Sequence, residues 1–503
     1  MSITLADALR DAAATTPDRV LIRDADVSLT CRDLLARAES TAHALLQRMP
    51  VGSVVSFMVP NWHEAAVVYL GATLAGMVVN PILPSLRDHE LRVILDDADC
   101  RAIFIPETFA GHDYAAMLDR VLPELASPPE VVVVRGERDR HTSFADFSAD
   151  TTPGALPQLD PDADRMLMYT SGTTGRPKGV LHTHNSLNAL IAQLGEYWRI
   201  DAGDTFLVPS PIAHIGGSIY AFECPLLLGT QAVLMQRWDP DAAVGLMTEH
   251  RCTHMAGATP FLDGLLAAAQ RAGTRLPDLK VFICGGASVP PSLIRRAADY
   301  FEKAQVTRVY GSTEVPVTTV GSFDDVDGAA ETDGGLGIAE IKLVDGEIRV
   351  RGPQMLRGYR NPDDNRESFD EDGYFRTGDL GRWTDGGRLV VTGRAKDLII
   401  RNGENISPKE VEDLLVTHPQ ISEVAVVGVP DPRTGERACA AIVPAGVPGP
   451  DVAVLKEFLM ARGVAKFKIP EQVAFFDVLP KNAAGKVLKH QIKATLTEES
   501  RCR

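Results

Sequence analysis

The residues most able to do chemistry begin at position 169. The run Tyr169, Thr170, Ser171, Gly172, Thr173, Thr174, Gly175, Arg176, Pro177, Lys178, Gly179, Val180 follows directly on the apolar stretch Met166–Tyr169. Glycines let a backbone approach a polyphosphate, hydroxyls add donors, and Lys178 supplies a positive charge. The run is not a Walker loop. Gly172 and Gly175 stand too close for that spacing, and Pro177 removes an N–H where the loop would enter a helix. An ordinary Ser/Gly turn is a poor account of three glycines, four hydroxyls and a lysine after a buried strand.

Further along, Val309, Tyr310, Gly311, Ser312, Thr313 and Glu314 offer an aromatic face, hydroxyls and a carboxylate within a few residues. Glu314 suits Mg²⁺, a hard ion that shares oxygen ligands with phosphates, and Thr170 is a second oxygen donor for it. The run Val281–Cys284 followed by Gly285, Gly286 and Ala287 is a strand ending in small residues, as a flat group lying against backbone requires. In Tyr374–Leu380, the ionised carboxylate of Asp379 can accept two hydrogen bonds, although Gly378–Asp379 would serve a turn equally well. His214, among apolar neighbours in Pro211–Gly217, reads by itself as a satisfied core histidine. Lys486, near the end, reads by itself as a solvated lysine.

Taken in order, these segments resemble the adenylate-forming superfamily of acyl- and aryl-CoA synthetases, luciferases and peptide-synthetase adenylation domains. The resemblance spans roughly Asn61 to Lys489. It implies an α/β fold: a large N-terminal domain of layered α/β subdomains with a small β-barrel-like element over 1–395, and a small mobile α+β C-terminal domain over 396–503. It implies an acyl-CoA synthetase that uses ATP, Mg²⁺ and CoA, with an acyl-AMP ligase or carrier-loading enzyme as the alternative acceptor chemistry. A nucleotide-binding regulator that has lost catalysis predicts damage at Lys178, Glu314, Asp379 or Lys486, and all four are present.

By the same resemblance, Ser171, Gly172, Thr173, Thr174 and Gly175 cradle phosphates together with Thr170 and Lys178. Gly286 and Ala287 border the adenine and acyl pockets, Tyr310 and Gly311 lie on adenine, and Thr313 meets the α-phosphate. Glu314 and Thr170 hold the metal, Asp379 and Arg394 the ribose or phosphate, and Lys396 is the hinge. Lys486 stabilises charge during adenylation. His214 and Gly216 gate the carboxylate site, which Gly286 and Val309 also line, and Gly403–Ile406 joins the CoA side.

The sequence departs from the family pattern in two places. Arg308 and Val309 stand where Gln and Gly are usual, and Gly328–Ile338 is shorter and less proline-rich than expected. Bulk at Val309 narrows the acyl pocket and favours a short, branched, cyclic or aromatic acid. No long insertion precedes the hinge, which favours CoA as the acceptor.

These residues need a scaffold. A chain of 503 residues exceeds what one core serves, so at least two packing units are expected. Apolar stretches at Val54–Val59, Ala102–Ile105, Val131–Val134, Val281–Cys284 and Val306–Tyr310 alternate with helical patterns at Glu64–Ala75 and Ser292–Phe301, the mark of a parallel α/β sheet with ligand sites at strand ends. After about residue 335 come short strands such as Glu347–Arg351 and Arg388–Thr392. An α+β tail follows, with a helix opened by Ser407 as N-cap, Pro408 at its first position and Glu410 completing a capping box.

A formal charge of −16 without a basic run argues against nucleic acid and anionic membranes as partners. Seven scattered cysteines, a start unlike a secretory signal and the lack of a long apolar run lead to the expectation of a cytoplasmic protein without membrane insertion. Self-association is left open by the sequence.

Overall fold

Two parallel-rich sheets pack on either side of helices that are buried nearly all round. The structure, a computed structural model, describes residues 3–136, 140–149, 151–170, 176–286, 289–323, 325–481 and 486–501. In the helix His63–Leu74 every residue except Glu64 is buried. A helix without a polar face has to lie inside a core, and this one packs with Cys31–Arg48 between Val55, Phe57, Met166 and Met168 of one sheet and Phe206 and Val208 of the other. Each fully buried side chain of this kind contributes about 1.5–3 kcal/mol.

The first sheet has seven strands in the order Gln305–Arg308, Val281–Cys284, His254–Gly257, Thr205–Val208, Gln231–Leu234, Val20–Asp24, Val27–Thr30. It is parallel except at the last pair. Its carboxyl ends therefore lie along one edge, where the loops carrying Gly286, Val309 and His214 emerge. The second sheet has eight strands and includes the hairpin Asp164–Thr170 with Lys178–Thr183, whose register sets Thr170 opposite Lys178. Of the residues between those two strands, Ser171, Gly172, Thr173, Thr174 and Gly175 lie outside the described residues, as does Ala287.

The small barrel-like element is a four-stranded antiparallel sheet, Glu340–Val344, Glu347–Arg351, Phe375–Trp383 and Leu389–Arg394. A turn at Ala395–Asp397 leads to a five-stranded sheet over residues 399–475. Both faces of that sheet are covered: Val426, Ala438, Ala440 and Ile442 face one helical layer, while Ala425, Val427, Cys439 and Ala441 face Ile492 and Leu496. This is the period-two alternation of strands.

Two expectations need correction. The strand expected over Val306–Tyr310 ends at Arg308, because Tyr310 N–H leaves the sheet to donate to Thr319 Oγ1 (2.8 Å). The helix after Ser407 does begin at Pro408, but there is no capping box. Ser407 Oγ donates to the Thr392 carbonyl, across the approach to the turn, and Glu410 pairs with Lys468 (2.7 Å). Tertiary partners outcompeted the local cap. Among the described residues, the six cysteines are all buried free thiols and no helix is long and apolar enough to cross a membrane.

Candidate active site

Tyr310, at the end of the first sheet, reaches Asp379 on the antiparallel sheet, its hydroxyl donating to Oδ2 at 2.8 Å. The same carboxylate receives Arg394 Nε on Oδ1 at 2.8 Å. That second contact follows from strand register, since Asp379 and Arg394 are paired across Phe375–Trp383 and Leu389–Arg394. Burial and the adjacent carboxylate push the Tyr310 phenol well above its usual range, so it remains a neutral donor. The ring, held by its hydroxyl and by its own N–H, presents a fixed aromatic face.

Lys486 comes to this cluster from the C-terminal unit. Burial lowers its ammonium to about 8, repulsion from Arg394 adds to this, and attraction to Asp379 and Asp397 resists it. The residue as a whole is exposed. Exposure is a property of the whole residue, the shift one of its ammonium alone. Four groups separated widely in sequence, Tyr310, Asp379, Arg394 and Lys486, thus share one electrostatic neighbourhood.

Gly311 begins the return of the loop, where a Cβ would meet Val317 N at 2.6 Å, so only glycine fits. Thr313 is fixed through its carbonyl, which accepts from His182 Nε2 at 2.8 Å. His182 is fully buried and driven down to about 4 by that burial, so it is a neutral strut. Glu314 Oε1 accepts from the Tyr359 hydroxyl at 3.0 Å, and Lys178 Nζ lies 5.0 Å over the Tyr359 ring while pairing with Asp364 at 3.3 Å. Lys178, Thr170 and Glu314 are thereby gathered at the turn end of the hairpin, where Thr170 pairs with Lys178. A carboxylate and a hydroxyl are hard oxygen donors, and few of them suffice for Mg²⁺ when phosphates supply the remainder. Among the described residues, the one cluster of three His, Asp and Glu groups is elsewhere, at Asp24, His63 and Glu64. Arg135 binds both of its carboxylates, which accounts for that cluster without a metal.

His214 stands on the loop after Thr205–Val208. It caps a short helix, its Nδ1 accepting from Gly216 N–H at 3.2 Å, so the ring proton is left on Nε2. Burial keeps the imidazole below its ordinary pKa and therefore neutral. Asn61 holds this loop, its amide donating to the carbonyls of Val208 and Ser210 and its oxygen accepting from Ile212 N–H. Gly286 is left-handed at φ +80°, and beside it a Cβ on Gly285 would stand 3.0 Å from Val309 Cγ2. Lys396 lies exposed at the second position of the turn Ala395–Asp397.

His182, Tyr359, Asp364 and the anchoring role of Asn61 are not marked by any motif of the sequence. Each acts on a motif from outside it, and nothing in its own segment signals what it will meet.

The chain is similar to known proteins over almost its whole length. The family described as AMP-binding enzyme matches residues 9–360, and that described as AMP-binding enzyme C-terminal domain matches residues 410–486. A medium-chain fatty-acid–CoA ligase of Escherichia coli is 33% identical over 97% of this chain and 90% of its own. A 2,3-dihydroxybenzoate-AMP ligase of Bacillus subtilis is 31% identical over 99% and 94%. The ATP-bound structure of MatB from Rhodopseudomonas palustris superposes with a TM-score of 0.87 at 28% identity, covering 99% of both chains. The apo structure of the same protein, at equal identity and coverage, gives 0.76. From its two matched domains and its full-length relatives, the chain belongs to the AMP-binding enzyme family and is an ATP-dependent adenylate-forming ligase.

Proposed function

We propose that the protein is an acyl-CoA synthetase that converts a carboxylate and ATP to acyl-AMP and pyrophosphate, then passes the acyl group to the thiol of CoA with release of AMP. The observation that carries this reading is that Lys486, from the C-terminal unit, lies within electrostatic range of the paired Arg394 and Asp379. A free carboxylate resists nucleophiles because its charge is delocalised and its leaving group would be oxide. Attachment of AMP removes both obstacles.

In the first half-reaction a carboxylate oxygen attacks the α-phosphorus in line as the bond to pyrophosphate breaks, so the protein's task is positioning and charge compensation. Tyr310 offers its ring to adenine, and Asp379 takes the ribose hydroxyls. Thr313 contacts the α-phosphate, and Lys178 and Lys486 face the phosphates. Mg²⁺, held by Glu314 and Thr170, would supply further neutralisation. Neutral His214 and the backbone at Gly216 and Gly286 border the acid, with Val309 limiting its bulk.

In the second half-reaction the thiol sulfur attacks the acyl carbon, its proton passes to solvent, and AMP departs. For this the unit beyond residue 395 turns about Lys396, withdrawing Lys486 and presenting Gly403–Ile406. The better fit to the ATP-bound relative than to its apo form supports reading the present arrangement as the adenylation state. The buried thiols fit a reducing cytoplasm.

The similarity to an aryl-AMP ligase favours one second reading, in which the adenylate is handed to a carrier-protein thiol. An assay with a panel of acids, ATP and either CoA or a phosphopantetheinylated carrier, following AMP release and thioester absorbance, decides between them. Thioester formation with free CoA supports the synthetase. AMP release that requires the carrier overturns it.

A further inference from the structure

The two places where the sequence departs from its family's pattern meet in space. Arg308 is 4% exposed, and its guanidinium binds Asp333 Oδ1 through Nη2 at 2.7 Å and Nε at 3.3 Å. Its Nη1 donates to the carbonyls of Ala330 at 2.7 Å and Val289 at 3.3 Å. A buried guanidinium is costly unless paired and hydrogen-bonded, and here it is both. Asp333 lies in Gly328–Ile338, the other divergent segment.

Asp333 turns its remaining groups toward the nucleotide side. Its Oδ2 accepts from Val391 N–H at 2.8 Å, and its own N–H donates to the Leu389 carbonyl at 2.8 Å. Val391 is three residues before Arg394 on the strand paired with that of Asp379. The Asp333 carbonyl accepts from Thr319 Oγ1, which in turn accepts from Tyr310 N–H at 2.8 Å. Thr319 N–H closes the ring by donating to the Tyr310 carbonyl at 3.0 Å. Asp333 is therefore bonded on one side to the loop that carries Tyr310 and on the other to the strand that carries Arg394.

We infer that Arg308 and Asp333 form a buried clamp that fixes the Tyr310 loop against the Arg394 strand, making both positioning residues for the nucleoside half of the site. The inference rests on the roles proposed above for Tyr310 and Asp379. Arg308 adjoins Val309 and donates to the Val289 carbonyl near the acid pocket, but the bonds of Asp333 run only to Arg308, the Tyr310 loop and the Arg394 strand, so loss of Asp333 falls first on ATP.

The test is Asp333→Asn, which keeps an acceptor for Val391 N–H but removes the charge and leaves Arg308 unpaired. At a temperature where circular dichroism shows a folded chain, KM for ATP should rise roughly 10- to 100-fold, the range for a sub-ångström to ångström misplacement, while KM for the acid stays within about twofold. Adding Arg308→Gln removes the orphaned charge and should recover most of the loss. A fall in melting temperature with KM for ATP unchanged, or equal rises in both KM values, overturns the inference. Should Asp333→Asn not fold, calorimetric ATP binding to Arg308→Lys takes its place: weakening by roughly tenfold or more supports the clamp, and wild-type affinity contradicts it. Because ATP binding is read without any acid or acceptor, this test can fail while the proposed synthetase reaction stands, and the reverse.

Discussion

Tyr310 and Asp379, 69 residues apart in sequence, share a 2.8 Å hydrogen bond that joins the end of a parallel sheet to the middle of an antiparallel one. The bond orients an aromatic face and a carboxylate toward the same space, as an adenosine requires. Removing the carboxylate by Asp379→Ala also leaves Arg394 without its partner, so kcat/KM for ATP should fall roughly 10²-fold or more. Tyr310→Phe keeps the ring and loses one hydrogen bond to a charged group, so its KM for ATP should rise only about tenfold. Steady-state kinetics on both variants check this order, and the reverse order would remove Asp379 from the ribose role.

The depressed pKa of Lys486 sets a pH dependence. In the proposed mechanism the ammonium is the active form, and with a pKa of about 8 in the free enzyme it is lost as pH rises through that value. Because kcat/KM reports free-enzyme ionisation, kcat/KM for ATP should decline above about pH 8. Bound polyphosphate favours the charged form, so kcat should hold to higher pH. Lys486→Arg, always charged, should abolish the alkaline limb at whatever activity it retains. An unchanged limb in that variant assigns the titration elsewhere.

Lys396 occupies the second position of a turn closed by Leu398 N–H donating to the Ala395 carbonyl, a position that accepts proline. Lys396→Pro should therefore preserve the present orientation and block rotation to another. Pyrophosphate exchange should stay within a few-fold of wild type, and thioester formation should fall by roughly 10²-fold. Normal overall turnover would remove the hinge.

Val309 is expected to set acyl size. Val309→Gly should raise kcat/KM for longer straight-chain acids by roughly 10- to 200-fold relative to small ones, the range for adding or removing bulk in an apolar pocket. Competition between acids of different length reads this ratio directly, and a wild-type preference for long chains would contradict the reading.

Much of this was legible in the sequence because it is local. Val281–Cys284 and Glu347–Arg351 fall at the expected residues, and the helices expected at Glu64–Ala75 and Ser292–Phe301 begin and end one residue earlier, at His63–Leu74 and Pro291–Tyr300. Pattern period and strand ends suffice for those. The supports of the site were not legible, because they are tertiary. Nothing around His182 indicates that it will hold the Thr313 carbonyl, and nothing in Gly328–Ile338 indicates that Asp333 will neutralise Arg308. The capping box at Ser407 failed for the same reason, since a distant carbonyl offered its hydroxyl a better partner than the helix did.

In the proposed mechanism Lys486 acts on the α-phosphorus only in the first half-reaction. Lys486→Ala, assayed separately for pyrophosphate exchange and for thioester formation from supplied acyl-AMP, tests it most directly. Exchange should fall roughly 10²–10³-fold, typical of one preorganised donor, with thioester formation largely spared. Equal impairment of both half-reactions, or exchange at the wild-type rate, would contradict it.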